Sequence, residues 1–254
     1  MTIWKSTLLA FAISVSANTL FAATSHAQNF GGLSIGVSGG GLSGSQGQSG
    51  GIFIPPTGPA CPKNLILVDG VCQVEAGDGN YRIGGAALGA GAGYDWQFGR
   101  FIFGAAADFS WTGARGNGSC GFLFSLPHAC GGGIASLGTA RAKVGYEIGS
   151  IGILLAAYVT GGFAFARIRG WDNLLGGSGA TTALGWTLGG GVEALVAPNW
   201  SVKLEYLCAD LGNRGAFYAI PPNMERLRTR ANIFRVGLNY RFNAAAPKPV
   251  VAKY

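Results

Sequence analysis

Cysteine and histidine have the widest chemical reach of any residue types in this chain, and they are few: five Cys and two His in 254 residues. Cys61 and Cys72 form one near pair and Cys120 and Cys130 another, each closing a loop of about ten residues, the spacing of a local disulfide in an oxidising compartment. A metal site is the other chemistry open to the second pair, with His128 as a third ligand, but a closed zinc site takes four. Cys208 has no near partner, and a buried thiol there behaves as a small apolar side chain. Nucleophilic hydrolysis needs a histidine beside the nucleophile. His128 has no elbow motif near it, and His26 falls in the leader described below. The glycine run from Gly84 to Gly93 lacks the third glycine of a dinucleotide loop after Gly91-Ala92-Gly93, and no helix pattern follows. These residues predict no enzyme, no cofactor and no metal. Two sets of arginines remain, Arg226, Arg228 and Arg230 in one place and Arg167 and Arg169 in another. Such alternation makes either a solvated rim or a clamp for phosphate, because guanidinium meets phosphate through paired hydrogen bonds.

What these residues can do depends on compartment and on the elements that hold them. Lys5 precedes an apolar stretch from Leu8 to Val15, and the segment ends in Ser25-His26-Ala27, so residues 1–27 read as a signal peptide cleaved after Ala27. The apolar core is shorter than the roughly 20 residues of a spanning helix. Removing Lys5 lowers the net charge from +7 to +6. That basic balance suits a phosphate-bearing partner, but no helix-turn-helix, zinc-finger or aromatic RNA-binding pattern points to nucleic acid. With 45 glycines and only 11% charged residues, the composition is unlike that of a soluble enzyme. The most apolar mature stretch, Ile151 to Ala166, is interrupted by Gly152, Gly161 and Gly162 and is too short to span as a helix.

Apolar residues alternate along the chain instead, the signature of strands. Three segments, beginning at Gly89, Gly138 and Gly185, each contain a period-two run, a tight turn and a second period-two run. The turns fall at Phe98-Gly99-Arg100, Gly149-Ser150 and Pro198-Asn199, and the longer Gly, Ser, Asn and Pro segments 42–80, 112–133, 167–181 and 212–227 read as loops. A first strand at Gly32–Gly41 and a last at Ala231–Phe242 complete eight. The predicted fold is all-β: an eight-stranded antiparallel up-and-down transmembrane β-barrel over 28–242, with short periplasmic turns and long extracellular loops. Parity assigns the faces. Phe101, Phe103, Phe109 and Trp111 share one side with Leu204, Tyr206, Phe234 and Tyr240, whereas Asp108, Lys203, Glu205, Arg235 and Arg241 fall on the other. In a soluble sandwich the charged face would meet water. The export signal and the aromatic residues near the turns favour lipid outside and charges within.

The stretches "GWTLGGGVEALVAPNWSVKLEYLCADLG" and "NIFRVGLNYRF" resemble a hairpin and the last strand of the small outer-membrane β-barrel proteins, often called the porin family, of rhizobia and related alpha-proteobacteria. The resemblance covers most of the mature chain and implies an eight-stranded barrel in the Gram-negative outer membrane, inserted by the barrel-assembly machinery. Arg235, Gly237, Tyr240 and Phe242 are similar to the C-terminal signal read by that machinery. Residues 243–254 are expected as a periplasmic tail, since Pro247 and Pro249 remove ladder donors.

Parity also predicts ten charged side chains inside: Arg141, Lys143, Lys203, Arg235 and Arg241 against Asp95, Asp108, Glu147, Glu193 and Glu205. An eight-stranded barrel is nearly filled by its own side chains, so these are expected to pair rather than line a free channel. Inward glycines at Gly89, Gly91 and Gly93 argue for some room. The function expected is a structural barrel contributing to envelope integrity and to surface interactions through its loops, with outer-membrane lipids and lipopolysaccharide as partners. A small non-specific diffusion porin is the alternative.

Overall fold

The computed structural model describes residues 29–54, 66–68, 71–123, 126–150, 153–173, 178–220 and 223–242. The expected signal peptide, Cys61 and the C-terminal tail lie outside them. The strands are β1 (Gly32–Ile54), β2 (Ile66–Val68), β3 (Val71–Phe98), β4 (Phe101–Leu123), β5 (Leu126–Ser150), β6 (Leu154–Asp172), β7 (Ser178–Ala197), β8 (Trp200–Ile220) and β9 (Asn223–Phe242). Apart from β2, a short strand added to the outer end of β3, each pairs antiparallel with its neighbours in sequence. β1 closes the ring by pairing with β9 from Leu33↔Phe242 and with β3 from Gly32↔Asp95. Closure gives each of the eight ring strands a ladder on both sides, the condition for a sheet to sit in hydrocarbon.

The alternation of the sequence becomes two surfaces. Leu33, Ile35, Val37, Phe103, Val159, Leu188, Leu204 and Val236 are exposed on the outside. On β4 the outward band runs from Phe101 to Trp111, 55% and 64% exposed. The ten steps from one to the other span about 34 Å of strand and, at a tilt near 40°, a height of about 26 Å, the thickness of an outer-membrane apolar band. Aromatic pairs sit at its margins: Phe101–Tyr146, Trp200–Tyr240 and Tyr240–Phe242, with ring centroids 5.3, 5.2 and 5.0 Å apart, at the turn end, and Phe109–Trp111 at 5.1 Å at the other. The Tyr and Trp rings among them join an apolar body to a polar group, which suits the boundary.

The structure alters two details of the sequence reading. The segments expected as loops leave the membrane as continued strands: β1 runs on to Ile54, β3 begins at Val71, and β4 and β5 extend to Leu123 and from Leu126. Glycine and serine weaken strand propensity there, but inward residues at period two, among them Leu42, Gln46, Tyr81, Ile83, Ala114 and Ile134, are buried and hold the ladders in register. The turn expected at Gly149-Ser150 is displaced, because β5 continues through Ser150 with a register shift between Glu147 and Gly149, and Gly149 has φ 135°. The turns at Gly99, with φ 61°, and at Pro198-Asn199 fall where expected.

Candidate functional site

The periplasmic half of the lumen is built from charged side chains that period two turns inward on six different strands. Two groups form. In the first, Arg141 on β5 and Arg235 on β9 both reach Asp108 on β4, at 2.6 and 2.7 Å, and Glu205 on β8, at 2.9 and 2.5 Å. Thr139 donates to Asp108 at 2.7 Å and the Tyr158 hydroxyl donates to Glu205 at 3.0 Å. In the second, Arg241 pairs with Asp95 at 3.0 Å and Glu193 at 2.6 Å, and Lys143 pairs with the same two carboxylates at 2.8 and 3.5 Å. Ser201 and Asn239 donate to Glu193 at 2.6 and 3.2 Å. Arg241 also donates to the Phe30 carbonyl and lies 5.4 Å from the centre of the Phe30 ring, so the residue before β1 stoppers the periplasmic end. Each group holds two cations and two anions, and neutrality is what permits such charges to be buried at all.

Two of the ten residues singled out from parity stand apart. Glu147 accepts from Gln97 Nε2 at 2.8 Å near the first turn, and no ion pair reaches it among the described residues. Lys203 likewise has no carboxylate at ion-pair distance among the described residues. Its stem crosses Gly237, where a Cβ would lie 2.7 Å from Lys203 Cε. Parity gives the face of a side chain but not its height, and height decides which charges meet. The inward glycines leave less room than expected, because a Cβ at Gly89 would strike Ser110 Oγ at 2.3 Å and one at Gly91 would lie 2.8 Å from Asp108 Cβ. What remains is a cavity of about 40 Å³ between the charged groups and Ser34, Gly36 and Ser38 on β1. That is room for a few waters.

Above the charges the lumen turns apolar, a layer the sequence reading missed. Leu137, Leu207, Ile233, Leu42, Ile83 and Ile168 belong to one buried cluster. Their inward parity is legible, but Leu42 and Ile168 fall in the segments 42–80 and 167–181, expected as loops. Further out still, Gln46, Gln48, Tyr81 and Thr229 are buried and carry side-chain atoms with no hydrogen-bond partner among the described residues. Burial pushes the Tyr81 phenol above its ordinary range, so it stays a neutral donor.

Of the cysteines, Cys130 is fully buried on β5, opposite Gly118 of β4, two residues before Cys120. The side chains of Cys72, Cys120 and His128 are not among those described. Cys208 is free, half-buried and on the outward face opposite Asn232. The arginines face outward. Arg167 and Arg169 follow Phe165 on the exposed side of β6, and Arg226, Arg228 and Arg230 lead to Phe234 on β9. Arg82 on β3 and Arg115 on β4, not singled out from the sequence, face the same way. All lie beyond the apolar band on the extracellular side.

The family model described as "Outer membrane protein beta-barrel domain" matches residues 7–242. The chain belongs to that family. Similar relatives include the 31 kDa outer-membrane immunogenic protein of Brucella melitensis, 33% identical over 205 residues covering 77% of this chain and 80% of the relative. The 22 kDa outer membrane protein of Rhizobium leguminosarum bv. viciae is 28% identical over 134 residues, covering 51% and 53%. The family, the eight-stranded closed ring and the relatives agree: this is an outer-membrane β-barrel protein. Among solved structures, Neisserial surface protein A is similar at 14% identity and a TM-score of 0.35, covering 80% of this chain and 96% of that one. Family membership rests on the sequence match and not on that likeness.

Proposed function

We propose that the protein is a non-conducting structural barrel of the outer membrane, contributing to envelope integrity by gripping the outer leaflet and to surface interactions through its extended hairpins. The carrying observation is the double stopper in the lumen: two neutral groups of ion pairs, Arg141–Asp108–Arg235–Glu205 and Arg241–Asp95–Lys143–Glu193, beneath a buried apolar layer. A diffusion pore needs continuous water, and these side chains interrupt it twice. The outward arginines support the second half of the reading. They stand at headgroup height, where phosphates of lipopolysaccharide would meet them, and charge-assisted hydrogen bonds to phosphate are about twice as strong as neutral ones. The reading includes no catalysis, because His128 is the sole histidine beyond the leader and has no nucleophile motif around it. Assembly would follow from the last strand, whose Tyr240 and Phe242 share the lipid face at the periplasmic margin with ring centroids 5.0 Å apart.

Vesicle swelling tests the choice against the diffusion porin. Vesicles carrying the refolded barrel should swell in small sugars no faster than empty vesicles. Swelling whose rate falls with sugar size would establish the porin instead.

A further inference from the structure

Between Gly39 and Ser49, β1 turns only small residues outward: Gly39, Gly41, Ser43, Ser45, Gly47 and Ser49. The strands on either side are taller. Gly39 lies between Leu88 and Val236, and Gly41 lies between Ala86 and Phe234. Higher up, Ser45 lies directly between Arg82 of β3 and Arg230 of β9, and Gly47 lies between Asn80 and Arg228. The result is a seam with two chemistries. Its lower part is an apolar hollow of about 560 Å³ walled by Leu88, Trp111, Val236 and Leu238. Its upper part is a hollow of about 690 Å³ with a mixed lining, in which Arg82 and Arg230 stand with Ser43, Ser45 and Asn232 beside Trp186. Ser45 is twelve residues above Leu33, a rise of about 30 Å at the same tilt, so the arginines clear the apolar band while Gly39 and Gly41 remain within it.

At Gly39 a Cβ would press on Leu88 Cδ2 at 3.2 Å, but packing does not require glycine at positions 41 and 47. A Cβ at Gly41 would meet nothing within 4 Å, and one at Gly47 would find its nearest neighbour, the Gly79 carbonyl, at 4.0 Å. These glycines keep the groove open. Across β1 the Cα atoms of Arg82 and Arg230 stand about 10 Å apart, two strand spacings, a gap that two guanidinium groups can close upon one phosphate. Arg230 is steadied by Asp210, which accepts from its Nε at 2.8 Å and leaves the two terminal nitrogens of the fork free to turn into the groove. Asp210 is the one acidic side chain on these walls among the described residues.

We infer that this seam binds one phosphorylated glycolipid of the outer leaflet, its phosphate held between Arg82 and Arg230 with Arg228 above, and an acyl chain laid along Gly41 and Gly39. Charge complementarity above and an apolar trough below, in line along one strand and divided at the membrane boundary, select an amphiphile with an anionic head over a protein partner. The inference rests on the reading that the outward arginines meet lipid phosphate.

Native mass spectrometry of the refolded full-length barrel, released from mixed micelles of lipid A and phosphatidylglycerol, tests it. The wild type should retain one lipid A. Arg82→Gln with Arg228→Gln should lower retention by roughly tenfold or more, since each lost contact is a hydrogen bond to a charged group. Gly41→Leu, which fills the trough, should lower it similarly while heat-modifiability is unchanged. Wild-type retention in both variants would overturn the groove. If retention instead falls in the variant Arg115→Gln, Arg167→Gln, Arg169→Gln, lipid binding stands and the site is wrong. If no variant releases lipid A, the phosphate reading of the arginines fails as well. Equal retention of phosphatidylglycerol would overturn the glycolipid, and a dimer abolished by Gly41→Leu would assign the seam to a second copy of the chain.

Discussion

Replacing Glu205 by glutamine keeps the shape of the side chain and removes its charge from the upper ion-pair group. The carboxylate lies 2.9 Å from Arg141 Nη1 and 2.5 Å from Arg235 Nη2, and it accepts from the Tyr158 hydroxyl at 3.0 Å. All three charged side chains are at most 5% exposed, so water cannot replace what is lost. The variant leaves two guanidinium groups facing one carboxylate, Asp108. Breaking a buried pair by removing one partner costs about 3 to 5 kcal/mol, and because Asp108 still bridges both arginines the lower end, about 3 kcal/mol, is expected. Arg235→Gln should cost about as much, for the opposite reason. The double variant restores neutrality with Arg141 and Asp108 alone, so its loss should fall short of the sum of the single losses by about 2 kcal/mol. Urea unfolding in phospholipid vesicles, followed by tryptophan emission and by the shift of the folded band on unboiled gels, measures all three. Single losses below about 0.5 kcal/mol, or additivity within that margin, would refute the reasoning.

Unreduced peptide mapping should link Cys61 to Cys72 and Cys120 to Cys130, with Cys208 free; crossed links or free thiols at the four positions would contradict the pairing. Deleting 243–254 should leave a heat-modifiable barrel, whereas polar residues at Tyr240 and Phe242 together should abolish assembly in cells; failure of the deletion alone to insert would make the tail part of the signal. Glu193→Ala should raise ion leakage through the barrel, because it leaves Arg241 and Lys143 to share Asp95 alone and opens the space its side chain filled. Lys203→Ala should leave leakage at the wild-type level, since no ion pair in the lumen loses a partner.

The parts of the fold read correctly from sequence are those where one face meets lipid. Phe101 to Trp111 and Phe234 to Phe242 alternate so strongly that strand, face and turn follow together. Beyond the membrane that pressure ends, and Ser43 to Ser49 carry few large side chains to mark an outside. Gln46 and Gln48 hold the same inward period, but polar residues between glycines read as loop. The charged lumen was legible in kind, from Arg141, Glu193, Glu205 and Arg235 alike. Its division into two neutral groups was not, because strand tilt and stagger set which heights coincide, as Lys203 and Glu147 show. Arg82 and Arg115 were missed because each is alone in its stretch, and only closure of β1 between β3 and β9 brings Arg82 opposite Arg230.

The most direct test of a closed structural barrel is the conductance of the purified, folded monomer in a planar bilayer made with lipopolysaccharide in one leaflet. The stoppered lumen predicts a bilayer that stays at its baseline, with at most small and infrequent openings. Steady, large channels from the wild-type monomer, scaling with the salt concentration as a water-filled pore does, would contradict it.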